Sequence, residues 1–291
     1  MSDEPAVRPA EPDRLDDDVP MTDLVLHRSG PSPDAAPVLL LLHGATDSGP
    51  SWADAIERWS SIYHVVAADA RGHGDSPRFT DADAERPPSD VMADDAIAIL
   101  RELHEATGRR TLVVGHSMGA RVAGLVSERE PALVAAAVLE DPPWRLPPDA
   151  SQPDSDQRER ARTDPEPEAS VEEMVDRQRL EAPAWPESEL RPWAEAKGRT
   201  DPRAVDRSRP PSRSWVDTAT ALSVPTLLVT GDGAVIVGPE ARAELAESAP
   251  QIQIVVVVGA DHCVRRDQGD AYHAAVDPFL AAHAPVVAAG G

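Results

Sequence analysis

The sequence contains very little cysteine, lysine or aromatic residue. One cysteine, Cys263, and one lysine, Lys197, occur among its 291 residues, and Phe, Trp and Tyr together make up 3%. A single cysteine excludes an internal disulfide and favours a reducing compartment. No apolar run approaches the ~20 residues that span a bilayer, and the N-terminal segment lacks the charged and then apolar pattern of a signal peptide. We therefore expect a cytoplasmic protein.

Basic charge is scarce, whereas acidic charge is abundant. The chain has 51 Asp and Glu residues against 28 Lys and Arg residues, which gives a formal net charge of −23. An acidic surface repels nucleic acid and anionic membranes, so we expect neither as a partner. The composition suits a salt-rich cytoplasm, where ions screen the self-repulsion. It is equally typical of a GC-rich genome.

Composition divides the chain into segments. Residues 1–20 carry seven acidic residues and four prolines and predict a disordered acidic tail. Residues 21–141 and 212–291 alternate apolar runs with amphipathic stretches, which predicts an α/β fold around a mostly parallel, doubly wound sheet. Residues 142–211 interrupt this alternation with Pro, charge and short helical stretches, and we expect a small helical cap inserted after the sixth strand.

Tryptophan is concentrated in and beside the predicted cap, at Trp144, Trp185, Trp193 and Trp215. A plain charged linker would not contain this much aromatic surface. The first three are candidates for the wall of a substrate pocket. The alternative is that they pack the cap onto the main domain.

The pentapeptide Gly115-His116-Ser117-Met118-Gly119 follows an apolar run and precedes apolar residues at helical spacing. This G-x-S-x-G pattern predicts a strand, a sharp turn and a helix, with the serine at the apex. Such a turn brings backbone segments very close together, which requires glycine on both sides. Ser117 is therefore a candidate nucleophile.

Three other motifs accompany this elbow in the sequence. They are His43-Gly44-Ala45-Thr46 after the first buried strand, Asp69-Ala70-Arg71-Gly72-His73-Gly74-Asp75-Ser76 after the next, and Gly259-Ala260-Asp261-His262 after the last. In this order the four motifs resemble those of the α/β-hydrolase superfamily, in its serine-nucleophile branch with a cap domain. The resemblance covers about residues 24–282 and implies an esterase-like or lactonase-like hydrolase.

A serine hydroxyl needs a neighbouring imidazole to accept its proton. Among nine histidines, His262 is the best placed, because the strand ends of a parallel sheet converge where ligands bind. We expect His116 to pack beside it and His43 to brace its loop, and we include both with Gly44 among candidate pocket residues. No metal-ligand spacing occurs among these histidines, so we expect neither a metal nor a cofactor.

The tetrahedral intermediate of acyl transfer needs hydrogen-bond donors for its oxyanion. The elbow predicts the backbone N–H of Met118 as one of them. The resemblance implies the backbone N–H of Ala45 as the second. Cys263, next to His262, is expected to be small buried filler rather than a nucleophile.

The acidic member of the triad departs from the family pattern. Where the family commonly has G-x-x-D, this chain has Gly231-Asp232-Gly233-Ala234. Asp232 is therefore one candidate. The other is Asp141, at the end of the strand that follows the elbow helix, where Pro142 is expected to hold it extended. We favour Asp141 to orient the imidazole and stabilise the imidazolium.

Serine at position 117 disfavours the branches of the superfamily that use aspartate there, which include most epoxide hydrolases. The first hypothesis is hydrolysis of a small to mid-sized ester or lactone through an acyl-enzyme. The alternatives are a C–C bond hydrolase, a perhydrolase, a triad-dependent lyase and a degraded ligand-binding protein. The sequence leaves monomer and homodimer open.

Overall fold

The computed structural model describes residues 22–144, 169–206 and 208–287. The predicted acidic tail, residues 1–20, lies outside the described residues. Residues 145–168 of the predicted cap also lie outside them.

A seven-stranded sheet forms the centre of the described structure. Its strands are β1 Leu26–Ser29, β2 Val38–Leu42, β3 His64–Ala68, β4 Thr111–His116, β5 Val134–Glu140, β6 Thr226–Gly231 and β7 Ile252–Val257. Their spatial order is β1-β3-β2-β4-β5-β6-β7, with β1 antiparallel to β3 and every other pair parallel. The carboxyl ends of β2, β4, β5, β6 and β7 therefore lie along one edge of the sheet.

The described helices connect and flank these strands. They are α1 Ala53–Trp59, α2 Pro88–Thr107, α3 Met118–Arg129, α4 Val171–Glu181, α5 Glu187–Lys197, α6 Trp215–Ala221, α7 Pro239–Ser248, α8 Val264–Asp267 and α9 Gly269–His283, with short 3-10 turns at Gly49–Trp52, Asp83–Glu85 and Pro202–Val205. Helix α2 begins with Pro88 in its first turn and ends at Gly108, which has φ 65°. Both residues are typical of those helix ends, since proline fixes a helical φ and glycine accepts the left-handed region.

Two hydrophobic layers cover the two faces of the sheet. Leu40 and Leu42 of β2 belong to the layer that includes α2 and α3, whereas Leu39 and Leu41 belong to the layer that includes α1 and α9. Every residue of β2 is buried because side chains alternate between the two faces and both faces are covered. Full burial of each leucine contributes about 1.5–3 kcal/mol. The predicted doubly wound α/β fold is confirmed.

Helices α4 and α5 form a small apolar cluster of their own. It is built on Met174, Val175, Leu190 and Ala194. Within the described ranges the helices follow β5, the fifth strand, and precede β6 and β7, whereas the sequence predicted the insertion after a sixth strand. The boundaries 142–211 for a cap stay a prediction.

Candidate active site

Ser117 lies at the junction of β4 and α3 with φ 50° and ψ −113°. A non-glycine residue in this region is strained by about 1–3 kcal/mol, and only close packing around it holds it there. The flanking glycines permit that packing: a Cβ on Gly115 would lie 2.3 Å from the Gly119 carbonyl oxygen, and a Cβ on Gly119 would lie 2.1 Å from the Leu42 carbonyl oxygen. The strained turn leaves Ser117 at the carboxyl edge of the sheet.

Ser117, His262 and Asp141 are aligned by two hydrogen bonds. His262 Nδ1 donates to Asp141 Oδ2 at 2.5 Å, and Ser117 Oγ lies 3.0 Å from His262 Nε2. A proton on Nδ1 is assigned from its carboxylate partner, and it leaves Nε2 free to accept the serine proton. The three residues come from three different strand ends and meet only in the folded chain.

Asp141 is completely buried and its carboxylate accepts hydrogen bonds from four donors. Besides His262, these are Thr230 Oγ1 and the backbone N–H groups of Ile236 and Val237, each at 2.9 Å. The expectation that Pro142 holds Asp141 extended is wrong, because Asp141 has φ 39°. The surrounding donors fix the carboxylate in spite of that backbone strain.

Asp232, the alternative acid, has a different partner from Asp141. Its Oδ1 accepts the Gly259 N–H at 2.7 Å and ties the end of β6 to the turn after β7. The geometry therefore gives the alternative acid a turn-stabilising contact and places Asp141 against the imidazole.

Glu140, next to Asp141, is also completely buried but has different partners. Its Oε1 accepts the backbone N–H of Arg265 at 2.9 Å. Burial raises the pKa of Glu140 to about 7, although the positive charge of Arg265 opposes this shift. Successive side chains at the end of a strand point apart, which separates the two carboxylates.

The predicted oxyanion donors belong to the elbow helix and to the turn after β2. Met118 is the first residue of α3, and Ala45 lies in the turn after β2. Gly44 holds this turn against the elbow: a Cβ there would lie 2.6 Å from His116 Nδ1 and 3.4 Å from Ser117 Cβ. Any larger residue at position 44 would force the His116 ring or the turn to shift. The oxyanion role of both N–H groups stays a prediction.

His43 and His116 are buried beside the site. His43 Nδ1 donates to the Gly44 carbonyl at 2.8 Å, and its Nε2 accepts the Ala70 N–H at 3.0 Å. His116 packs 4.9 Å from the His262 ring and donates from Nε2 to the His262 carbonyl at 3.3 Å. Burial lowers the pKa of both imidazoles. With these contacts, the two neutral imidazoles support the loop after β2 and the loop that carries His262.

The predicted pocket tryptophans make packing contacts. Trp144 is 1% exposed and lies in the core, stacked on Trp215 with 6.3 Å between ring centroids, which favours the packing alternative for this residue. Trp185 donates from Nε1 to Asp267 at 2.8 Å and packs edge-on against Trp193. Trp185 and Trp193 therefore join α5 to the segment after His262.

Sequence reasoning missed a buried charged network between α5 and the site. Arg266 binds Glu189 of α5 through Nε at 2.6 Å and Asp47, which follows the Ala45 turn, through Nη2 at 3.2 Å. Arg265 is paired with the same Glu189 oxygen at 3.3 Å. The adjacent arginines shortly after His262 were the available signal, since arginine is the cation best suited to buried pairs.

Burial raises the pKa of the Cys263 thiol to about 12, which leaves it protonated and unreactive at neutral pH. Within the described ranges, no group of three or more His, Cys, Asp or Glu side chains is arranged to hold a metal ion. In the same part of the chain, no helix combines the length and apolarity needed to cross a membrane.

The fold and the aligned serine, histidine and aspartate define a protein of the α/β-hydrolase class. Residues 39–275 match the model of the alpha/beta hydrolase family. Because the match covers most of the chain, the protein belongs to that family.

Individual relatives differ in how much of the chain they share. Similarity to 2-(acetamidomethylene)succinate hydrolase of Mesorhizobium japonicum extends over 266 residues at 27% identity, and covers 84% of this chain and 88% of that protein. The crystal structure of E-2-(acetamidomethylene)succinate hydrolase superimposes with a TM-score of 0.71 at 23% identity, over 89% of this chain and 95% of that one, and shows a shared fold. Similarity to Epoxide hydrolase 4 of Mus musculus is 29% identical over 104 residues, 35% of this chain, and spans only 27% of that protein.

Proposed function

We propose that the protein is a serine hydrolase that cleaves a small to mid-sized carboxylic ester or lactone through an acyl-enzyme. The alignment of Ser117 Oγ, His262 Nε2 and Asp141 Oδ2 at 3.0 Å and 2.5 Å carries this proposal. A serine without an aligned base is a poor nucleophile, and the alignment supplies both the base and its orientation.

The reaction proceeds in two halves. His262 Nε2 takes the Ser117 proton as Oγ attacks the ester carbonyl, and Asp141 stabilises the imidazolium that forms. The backbone N–H groups of Ala45 and Met118 donate to the oxyanion. The imidazolium then protonates the alcohol oxygen as its bond to carbon breaks. Water repeats these steps on the acyl-enzyme to release the carboxylic acid.

Two further observations support the proposal. Serine occupies the position where aspartate would direct the fold toward epoxide or haloalkane chemistry. The similarity over most of both chains to a protein named 2-(acetamidomethylene)succinate hydrolase also favours hydrolysis of a small molecule. We include a cytoplasmic location in the proposal, on the ground of the single cysteine.

The test combines an activity-based probe with a substrate panel. A fluorophosphonate should label the wild-type protein and not Ser117→Ala, and short-chain aryl esters or lactones should be turned over with an acyl-enzyme that can be trapped. Cys263→Ala is the matched control, because it removes the neighbouring thiol and should leave labelling intact. Absence of labelling would favour a binding protein, and turnover by elimination without an acyl-enzyme would favour a lyase; either result contradicts the proposal.

A further inference from the structure

Lys197, the only lysine in the chain, reaches from the last residue of α5 into the site. Its Nζ donates to Thr46 Oγ1 at 2.7 Å and lies 3.3 Å from the Thr46 carbonyl oxygen. Nζ also lies 5.0 Å from the centroid of the Trp193 ring. These contacts hold an ammonium group directly beside the residue that follows Ala45.

Within the described part of the chain, Lys197 forms no ion pair; its hydrogen-bond acceptors are the neutral oxygens of Thr46. Burial lowers the pKa of Lys197, while the charge of Asp47 acts in the opposite direction. A desolvated cation without a carboxylate partner is costly, and an anion placed against it would recover part of that cost.

The two carboxylates that could approach Lys197 from the same network are already paired with arginine. Asp47 Oδ2 lies 3.2 Å from Arg266 Nη2. Glu189 Oε2 accepts from Arg266 at 2.6 Å and lies 3.3 Å from Arg265 Nη2. The two arginines balance the two carboxylate charges and leave Lys197 without a directly paired carboxylate among the described residues. Asp47 Oδ1 has no hydrogen-bond partner in the same part of the chain and acts on Lys197 only through its charge.

Two further carboxylates, those of buried Glu140 and half-buried Asp267, have hydrogen-bond partners other than Lys197. Glu140 Oε1 accepts the Arg265 backbone N–H at 2.9 Å. Asp267 accepts from Trp185 Nε1 at 2.8 Å and from the Asp261 backbone N–H at 2.9 Å. Their hydrogen bonds direct these carboxylate oxygens to groups other than Lys197.

Lys197 also contacts the loop that carries one of the predicted oxyanion donors. Thr46 adjoins Ala45, the predicted oxyanion donor, and Thr46 itself is held at φ 57°. The charge of Lys197 contributes to the lowered pKa of His43, which lies at the start of the same turn. An anion bound at Nζ would lie near an acyl group attacked by Ser117.

We propose that Lys197 is an anion subsite, and that the substrate is an ester or lactone whose acyl part carries a carboxylate. This inference rests on the proposed hydrolase function and adds the charge of the substrate to it. The carboxylate accepts from Nζ while the scissile carbonyl faces Ser117. In a protein with a net charge of −23, such a site supplies the local positive charge that a dianionic or monoanionic substrate needs.

The experiment compares two aryl esters of equal chain length, mono-para-nitrophenyl glutarate and para-nitrophenyl valerate, which differ in a terminal carboxylate. The wild-type enzyme should favour the glutarate ester in kcat/KM by about tenfold or more, the effect of one charge-assisted hydrogen bond. Lys197→Met should reduce that ratio to about one, whereas Lys197→Arg should keep part of it. Arg191→Met removes a cation from the exposed side of the same helix and should leave the ratio unchanged.

The ratio of kcat/KM for the glutarate ester to that for the valerate ester distinguishes anion binding by Lys197 from a merely structural role. Loss of the Thr46 contact would lower kcat/KM for both esters equally and leave their ratio unchanged, which would overturn the inference. Turnover without a preference for the glutarate ester, with Ser117 labelled by fluorophosphonate, would overturn the anion subsite alone. Failure to label Ser117 and to hydrolyse either ester would overturn both this inference and the proposed function.

Discussion

Replacing Asp141 by asparagine tests how the base is oriented. The Asp141 carboxylate accepts from His262 Nδ1 and the Ile236 N–H on Oδ2, and from Thr230 Oγ1 and the Val237 N–H on Oδ1. An amide has one acceptor oxygen, so its NH₂ group must face a backbone N–H in either orientation. The NH₂ group and that backbone N–H are both donors, so one buried hydrogen bond is lost, at a cost of about 1–3 kcal/mol in stability.

Both orientations of the amide impair the base. With its nitrogen toward His262, the imidazole must carry its proton on Nε2, where it cannot accept from Ser117. With its oxygen toward His262, the tautomer is kept but the negative charge that stabilises the imidazolium is lost. We expect kcat to fall about 10³- to 10⁴-fold, which corresponds to about 4–5.5 kcal/mol of transition-state stabilisation.

The assay is steady-state hydrolysis of para-nitrophenyl butyrate, with thermal unfolding of each variant to show that it is folded at the assay temperature. Asp232→Asn is the matched control, because its carboxylate accepts from the Gly259 N–H and not from His262. It should keep kcat within about threefold of wild type, as expected for a surface turn contact. An Asp141→Asn variant within tenfold of wild type, or an Asp232→Asn variant that loses as much, would refute the assignment.

Three other predictions follow from the same structure. Ser117→Ala and His262→Ala should each remove at least about 10⁴-fold of kcat with little change in Tm, because they act as one unit, and their double variant should be no worse than either alone. Burial raises the pKa of Glu140 to about 7, so the unfolded chain loses this proton first and stability falls as pH rises from about 4.5 to about 7, by up to about 3 kcal/mol. Glu140→Gln cannot ionise, so its Tm should fall less than that of wild type between about pH 5 and about pH 8; equal falls would show that Glu140 does not titrate in this way. Thermal stability should rise from about 0.1 M to about 2 M NaCl if the acidic composition, with its formal net charge of −23, is adapted to salt, and a maximum at low salt would contradict that adaptation.

Local patterns in the sequence were sufficient to predict the alternating elements, the elbow and the two most important candidate residues. Val38–Leu42 is apolar throughout, and β4 has the apolar centre Leu112-Val113-Val114, which is typical of strands buried on both faces. Ser117 was predicted because the glycines around it are close in sequence, and the contacts that require them are local consequences of the turn. His262 was predicted from its place after the last strand.

The choice between Asp141 and Asp232 depended on contacts distant in sequence. His262 and Asp141 are separated by 121 positions, and the donors to Asp141 come from Thr230, Ile236 and Val237. The positive φ of Asp141 could not be foreseen, because Pro142 locally favours the extended region that these donors overcome.

For the tryptophans and Lys197 as well, the sequence gives their place along the chain, whereas contacts between distant residues decide their surroundings. Their positions in the sequence place them in or near the inserted segment, but only packing decides that Trp144 enters the core and that Lys197 meets Thr46, 151 positions away. The sequence by itself determined the fold class and the choice of Ser117 as candidate nucleophile, because periodicity and turn chemistry act over a few residues. The tertiary structure decided which aspartate contacts His262, the charged network and the place of the single lysine, because hydrogen bonds and ion pairs between distant segments exist only once the chain has folded.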